Sequence, residues 1–394
     1  MVNVLFLAVD VDLRRFRGDS VHVRELALHL KDLGHSVAIV SATSGDYRLP
    51  GVGQIERGTS FGRQVTALAR TAGRWADVVY ERRLSPKLAW SIGLLADVPF
   101  VVEVNGVLDE ERAAQGHEVA LGEAVRRRLR GVILRDAFRV VAVSRGIREH
   151  LLSDYAIAGD RAIVVQNGAN TEVFHPMDKT VCQSQLGIPS GSKVLCFVGN
   201  LVAWQGVDKM LRALVPLSRS EPSILALVVG DGPELERLKA LASHLGISTH
   251  VRFLGVIPYS EIPQYICAAD VCVAPFVESR KTSPIKIFEY LACARPVVAT
   301  DVDEIGDFLR KCQGGLLVDP KSDASFVESI SALLRSPSDN ERMGTSGRKV
   351  VLAEHSWKST AAKVAQILED AVVSGRRGRL KNGRRISDGT LFEA

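Results

Sequence analysis

No stretch of this 394-residue chain approaches the ~18 consecutive apolar residues that a membrane-crossing helix needs. The apolar opening, Val2 to Val9, has no basic residue ahead of it and no small-residue cleavage site after it. It therefore reads as a buried strand and not as a signal peptide. The six cysteines (182, 196, 267, 272, 293 and 312) contain no Cys-x-x-Cys pair, and the nine histidines show no metal-ligand spacing. The cysteines read as core residues of a reduced, cytoplasmic protein, and no metal is expected. No Gly-x-Gly-x-x-Gly follows the first apolar run, so a nicotinamide dehydrogenase loses its main support. The body also lacks charge of one sign. Of the net charge of +5, most sits in the last 22 residues, where Arg376, Arg377, Arg379, Lys381, Arg384 and Arg385 face only Asp388 and Glu393. A near-neutral body argues against a nucleic-acid footprint.

What is present is alternation. Short apolar runs at Val2–Val9, Ser36–Ser41, Val78–Tyr80, Phe100–Val104, Val140–Val143 and Ile163–Val165 are separated by helical patterns, and this predicts a parallel sheet. Between the first two runs, residues 21, 23, 26, 27, 30 and 33 line one face of a helix that Gly34 stops. After a Pro- and Gly-containing connector from Phe174 to Lys193, the alternation restarts. Its runs are Val194–Val198, Leu225–Val229, Val251–Leu254, Val271–Ala274, Val297–Ala299 and Leu316–Val318. The expected fold is α/β, with two Rossmann-like domains whose parallel sheets face each other across a cleft. Its parts are a first domain over 1–173, a connector over 174–193 and a second domain over 194–354. The basic stretch 373–394, rich in Gly, Ser and Arg, is expected to be disordered.

One octapeptide carries the most chemistry: Ser283-Pro284-Ile285-Lys286-Ile287-Phe288-Glu289-Tyr290. Ser283 suits an N-cap and Pro284 the first helical position, where a missing N–H costs nothing. The free N–H groups and dipole at such a terminus attract an anion such as a diphosphate. Lys286 and Glu289, three apart, share a face. The lysine can offset phosphate charge, and the carboxylate can accept from two vicinal hydroxyls, as a ribose presents them. A plain amphipathic helix with solvated Lys and Glu accounts for the octapeptide equally well. The flanking apolar strands place it where a strand's carboxyl end meets a helix start, which is where open α/β sheets bind ligands.

In order along residues 1 to about 370, further segments resemble those of the retaining glycosyltransferases of family 4, which have the GT-B fold. Gly18-Asp19-Ser20-Val21-His22-Val23 is similar to the family's first glycine loop and helix, and Leu33-Gly34-His35-Ser36-Val37 to its next turn. Val143-Ser144, Gln166-Asn167-Gly168-Ala169-Asn170 with Phe174-His175-Pro176, Phe197-Val198-Gly199-Asn200-Leu201, Val229-Gly230-Asp231-Gly232-Pro233 and Pro296-Val297-Val298-Ala299-Thr300 also match in kind and order. The resemblance implies a helix over 355–372 that crosses back to the first domain. It also implies transfer of a sugar, with retention, from a nucleotide-sugar donor to a glycan, lipid-linked or small-molecule acceptor, with no cofactor. Donor-binding positions carried over are Gly18, Asn200, Gln205, Lys281, Ser283, Pro284, Ile285, Lys286 and Glu289. Asn105 and Lys286 take the catalytic positions.

Several positions depart from the family. Lys281 stands where a glutamate is usual, Asn200 and Gln205 replace a basic pair, and Asn105 replaces a histidine; His117 reads as an exposed loop histidine rather than one that folds back to substitute. These losses keep two other readings open: a GT-B-fold binding or regulatory protein without transfer activity, and a nucleotide-sugar epimerase. The segment Glu118–Asp136 places Arg126, Arg127, Arg128 and Arg130 beside Leu121, Val125, Leu129 and Val132. Such a basic amphipathic helix suits either a peripheral contact with the inner face of an anionic membrane, which would favour a lipid-linked acceptor, or a plain solvated face.

Overall fold

The computed structural model describes residues 1–15, 18–55, 60–83, 86–106, 123–277, 283 and 285–381. They form two compact units. One comprises Met1–Asn167, Ser283 and the C-terminal helix, and the other is built from the rest of Gly168–Ser356.

The first unit is a seven-stranded sheet: β1 (Asn3–Ala8), β2 (Ser36–Ser41), β3 (Gly53–Ile55), β4 (Val78–Arg82), β5 (Phe100–Val104), β6 (Arg139–Ala142) and β7 (Ala162–Val164). Its order is β3-β2-β1-β4-β5-β6-β7, and every pairing is parallel. β1, β4 and β5 lie inside the sheet and are covered on both faces, which is why apolar residues dominate them, with the buried Glu81 in β4 and Glu103 in β5 as exceptions. β3 escapes sequence reading. It is a three-residue edge strand with one apolar side chain, and it exists by pairing with Ala38–Val40.

The helix Gly18–Asp32 buries Val23, Leu26, Ala27 and Leu30 against one face of this sheet, beside Ala361, Val364, Leu368 and Ala371 of the helix Trp357–Lys381. That last helix runs nine residues past the predicted end at 372, through part of the stretch predicted to be disordered. Its apolar stripe continues to Val372, and Gly375 then lets the backbone lie against Pro99. Residues 382–394 lie outside the described residues.

The second unit holds six parallel strands: β8 (Lys193–Val198), β9 (Ile224–Val229), β10 (Val251–Gly255), β11 (Val271–Ala274), β12 (Val297–Thr300) and β13 (Gly315–Val318). Their order is β10-β9-β8-β11-β12-β13. The stretch read as a connector belongs to this unit. Phe174 and Cys182 are fully buried in its core, Gln183 donates to the Ala268 carbonyl at 2.9 Å, and Lys179 pairs with Asp270 at 2.6 Å. Its helix Lys179–Gln185 is capped by the Asp178 carboxylate, which accepts from the Val181 N–H.

The helix Glu123–Asp136 corrects one element of the basic-face reading. Arg130 is 3% exposed and donates to the Tyr155 hydroxyl at 2.8 Å, so it is not available to a membrane. Position 130 shares the inward face with Ile133 and Leu134, three and four residues on. Arg126, Arg127 and Arg128 are exposed, as are Val125, Leu129 and Val132. No helix among the described residues is long and apolar enough to cross a membrane.

Candidate functional site

In the second unit, the carboxyl ends of β8, β9 and β11 meet the start of the helix Ile285–Ala292. Two features lock that helix to β8. Its Phe288, Tyr290 and Leu291 are fully buried, and the Tyr290 hydroxyl accepts from the Val198 N–H at 2.7 Å. The lock sets Lys286 against the turn after β8. Its amine donates to Gln205 Oε1 at 2.5 Å and lies 4.0 Å from the centre of the Phe197 ring and 5.4 Å from that of Phe276. Trp204 stacks on Phe276 at 5.8 Å and adds to the apolar wall.

This environment changes the amine. Loss of water around it lowers the Lys286 pKa from its ordinary 10.5 to about 7, against an opposing pull from the Glu289 carboxylate. At neutral pH the amine is poised between its two forms. It is the kind of group that responds strongly to an arriving anion.

Two glycines make room for it. At Gly199 (φ +151°) a Cβ would lie 2.6 Å from the lysine nitrogen, so only glycine leaves the amine its place. At Gly206 (φ +68°) a Cβ would overlap the Pro275 carbonyl oxygen, and this close approach holds the Ala203–Gln205 turn under β11.

The residues expected in the site divide as follows. Lys286, Gln205, Ile285 and Glu289 come together in this unit. Glu289 is 7% exposed and Gln205 6%, so the helix is not a solvated amphipathic one. Asn200 is exposed in the loop after β8, which the loop after β9 holds through a bond from Leu201 N–H to the Asp231 carbonyl at 2.9 Å. Ser283 does not cap. The helix opens at Ile285, which leaves Ser283 two positions ahead of the first helical residue, and its hydroxyl is buried without a hydrogen-bond partner. Lys281 and Pro284, with the neighbouring Arg280, lie outside the described residues, as does His117.

The first unit holds Gly18 and Asn105. Gly18 opens its helix with nothing within 4 Å of where a Cβ would stand, so packing does not demand glycine there. Asn105 follows β5 directly, is partly exposed, and donates from Nδ2 to Glu103 Oε1 at 2.5 Å. Sequence reasoning missed Phe197, Phe276 and Tyr290 around Lys286, and His22, Tyr80 and Glu103 beneath Asn105. For the second group one signal was available. Glu103 is a carboxylate inside an otherwise apolar strand, and a buried charge needs partners. Among the described residues no group of three or more His, Cys, Asp or Glu side chains could hold a metal ion.

Residues 16–173 match the model described as Glycosyltransferase Family 4, and residues 178–350 match the model described as Glycosyl transferases group 1. A D-inositol 3-phosphate glycosyltransferase of Thermobispora bispora is 31% identical over 245 residues, 60% of this chain. The match takes in 56% of that relative, so the chain spans little over half of its length. The Streptosporangium roseum protein of the same name is 28% identical over 91% of this chain and 89% of its own. Among solved structures, Anabaena HepE in complex with UDP-glucose has the same fold, with a TM-score of 0.76 at 18% identity over 94% of this chain and all of that one.

Proposed function

Because this chain belongs to the family 4, group 1 glycosyltransferases, we propose that it moves a sugar from a nucleotide-sugar donor to a sugar-bearing acceptor, with retention of configuration. The observation that carries this reading is the poised Lys286 amine at the start of a helix whose first N–H groups have no partner within the helix. Leaving-group departure gathers negative charge on a diphosphate. An amine and helix dipole aimed at that charge stabilise the transition state more than the ground state.

Other roles follow. Glu289 accepts from the ribose hydroxyls, while Gln205 and Asn200 supply neutral contacts where the family has cations. Lys281, Ser283, Pro284 and Ile285 are further candidate donor contacts, and Gly18 and Asn105 are the first unit's candidate substrate contacts. No cofactor or metal enters the reaction. A buried Lys286 beside the neutral Gln205, where the family has a cation, supports a single cation as the main charge partner of the diphosphate.

The test is a melting-temperature screen of the full chain against UDP, GDP, ADP, CDP and TDP, followed by turnover of the matching sugar nucleotide. UDP-glucose, which is bound in the HepE complex, is the first donor to assay, with D-inositol 3-phosphate as first acceptor. A ligand at a hundredfold excess over its Kd adds about 2.7 kcal/mol to stability. A clear rise in melting temperature for one nucleotide, with donor turnover, is the expected result. Stabilisation without turnover would favour the binding protein, conversion of donor without acceptor the epimerase, and no stabilisation by any of the five would overturn the proposal.

A lipid-linked acceptor is the finer form of the proposal, with the enzyme cytoplasmic and peripheral at the inner face of the membrane. It is supported by Arg126, Arg127 and Arg128 standing exposed beside the apolar Val125, Leu129 and Val132. Replacing the three arginines with glutamine is expected to release the protein from anionic vesicles, and salt should release the wild type, because such contacts are screened. Vesicle binding indifferent to both would remove this part of the reading.

A further inference from the structure

Where β1, β4 and β5 end, a buried polar cluster surrounds Glu103, which is 2% exposed. Its two oxygens serve several donors. The Tyr80 hydroxyl donates to Oε2 at 2.5 Å, and Asn105 Nδ2 donates to Oε1 at 2.5 Å. His22 Nε2 stands 2.8 Å from Oε1 and 3.1 Å from Oε2, and Arg82 Nε lies 3.7 Å from Oε1. Tyr80 and His22 are as buried as the carboxylate, and the His22 ring packs edge-on against Trp357 at 5.0 Å.

Burial alone would raise the Glu103 pKa. The His22 ring, Arg82 and the Tyr80 hydroxyl outweigh it and hold the carboxyl down at about 2. Glu103 is therefore ionised under all ordinary conditions, and an ionised carboxylate only accepts. That settles the orientation of the neighbouring amide. Only the nitrogen of Asn105 can face Glu103, so Oδ1 lies on the other side of the planar group, at a partly exposed position just past the strand. Oδ1 takes no hydrogen bond from any described residue.

We infer that Glu103 is a positioning residue that fixes the polarity of the Asn105 amide, so that Asn105 presents an acceptor to a substrate hydroxyl. This rests on the reading of Asn105 as a substrate contact. A neutral amide at position 103 would itself offer a donor to Asn105. The Asn105 amide would then turn over or lose its fixed orientation, and a donor would stand where the acceptor was.

The full-length chain, labelled with ¹⁵N at asparagine, gives a readout free of the donor. The Asn105 side-chain amide, assigned by its loss in Asn105→Ala, is expected to exchange slowly with water in the wild type and rapidly in Glu103→Gln. If that variant fails to fold, Glu103→Asp replaces it, since it keeps the charge but shortens the reach by one methylene. Kinetics with UDP-glucose as probe supply the second arm. Glu103→Gln and Asn105→Ala should each lower kcat/KM by roughly tenfold or more, and the double variant should be no worse than Asn105→Ala alone, because one residue acts through the other. Tyr80→Phe removes a different donor to the same carboxylate. It should lower the melting temperature while leaving kcat/KM within about threefold of wild type, as distinct interactions allow. A protected Asn105 amide in Glu103→Gln, or losses that multiply in the double variant, would overturn the inference. An Asn105→Ala enzyme with undiminished turnover would remove the reading of Asn105 itself, and the inference with it.

Discussion

Replacing Lys286 with methionine is expected to abolish donor turnover and to yield a protein that melts at a higher temperature than the wild type. The two effects have one cause. The amine sits among Gln205, Phe197 and Phe276 with its pKa lowered to about 7. In the unfolded chain the same amine keeps its proton up to about 10.5. Between these values the folded protein binds fewer protons than the unfolded one, so this residue makes stability rise with pH across the window and fall as pH drops toward 7. Methionine fills similar space without the charge and removes the penalty. Catalysis moves the other way. Loss of a group aimed at developing charge costs on the order of 10²–10³ in kcat.

Binding of a nucleoside diphosphate supplies the anion that raises the Lys286 pKa again, so above pH 7 a proton must be taken up with the ligand. Affinity for UDP should fall as pH rises from 7 to 9, by at most about tenfold per pH unit for one linked proton. Calorimetry in buffers of different ionisation enthalpy would register the uptake, and Lys286→Met should abolish both slope and uptake. A wild-type affinity flat across that range would show that the amine does not meet the diphosphate.

The second large effect is expected at Glu289. The Glu289→Gln variant should bind UDP more weakly by roughly 1.5–3 kcal/mol for each charged hydrogen bond lost to the ribose, tenfold to more than a hundredfold in Kd. Because Glu289 is nine-tenths buried, its replacement needs a control for folding. Comparing UDP with 2′-deoxy-UDP supplies one. Wild type should discriminate against the deoxy nucleotide, and the variant should treat the two alike. If the variant keeps the discrimination, another residue holds the ribose.

Most of the fold could be read from the sequence because parallel strands covered on both faces must be largely apolar. Val271–Ala274 and Phe100–Val104 stand out for that reason and were located to the residue. β3 was not legible, since an edge strand of three residues with a single isoleucine has no pattern of its own. The C-terminal helix was cut short at 372 because glycine and arginine there look like a tail. The helix goes on to set Gly375 against Pro99, a contact invisible in one dimension. The site was legible where chemistry and spacing coincide, as at Lys286 and Glu289. It was illegible where the third dimension decides. Nothing in the order of residues says that Phe197 and Phe276 dry the lysine, that Arg130 turns inward to Tyr155, or that Ser283 stops short of capping.

The helix Trp357–Lys381 packs with the N-terminal unit although the stretch Gly168–Ser356 lies between them in the chain. Val4, Phe6, Val23, Leu26 and Leu30 remain without their cover until Ala361, Val364, Leu368 and Ala371 arrive. On the ribosome, therefore, the first half of the chain waits. Its sheet can form early, but one face stays open to water, and to other nascent chains, until Ala361 to Ala371 have been made. The core of the unit built from Gly168–Ser356 needs nothing beyond Ser356, so the unit encoded second is the first able to close its core, and the arrival of Ala361 to Ala371 is the event that seals the other.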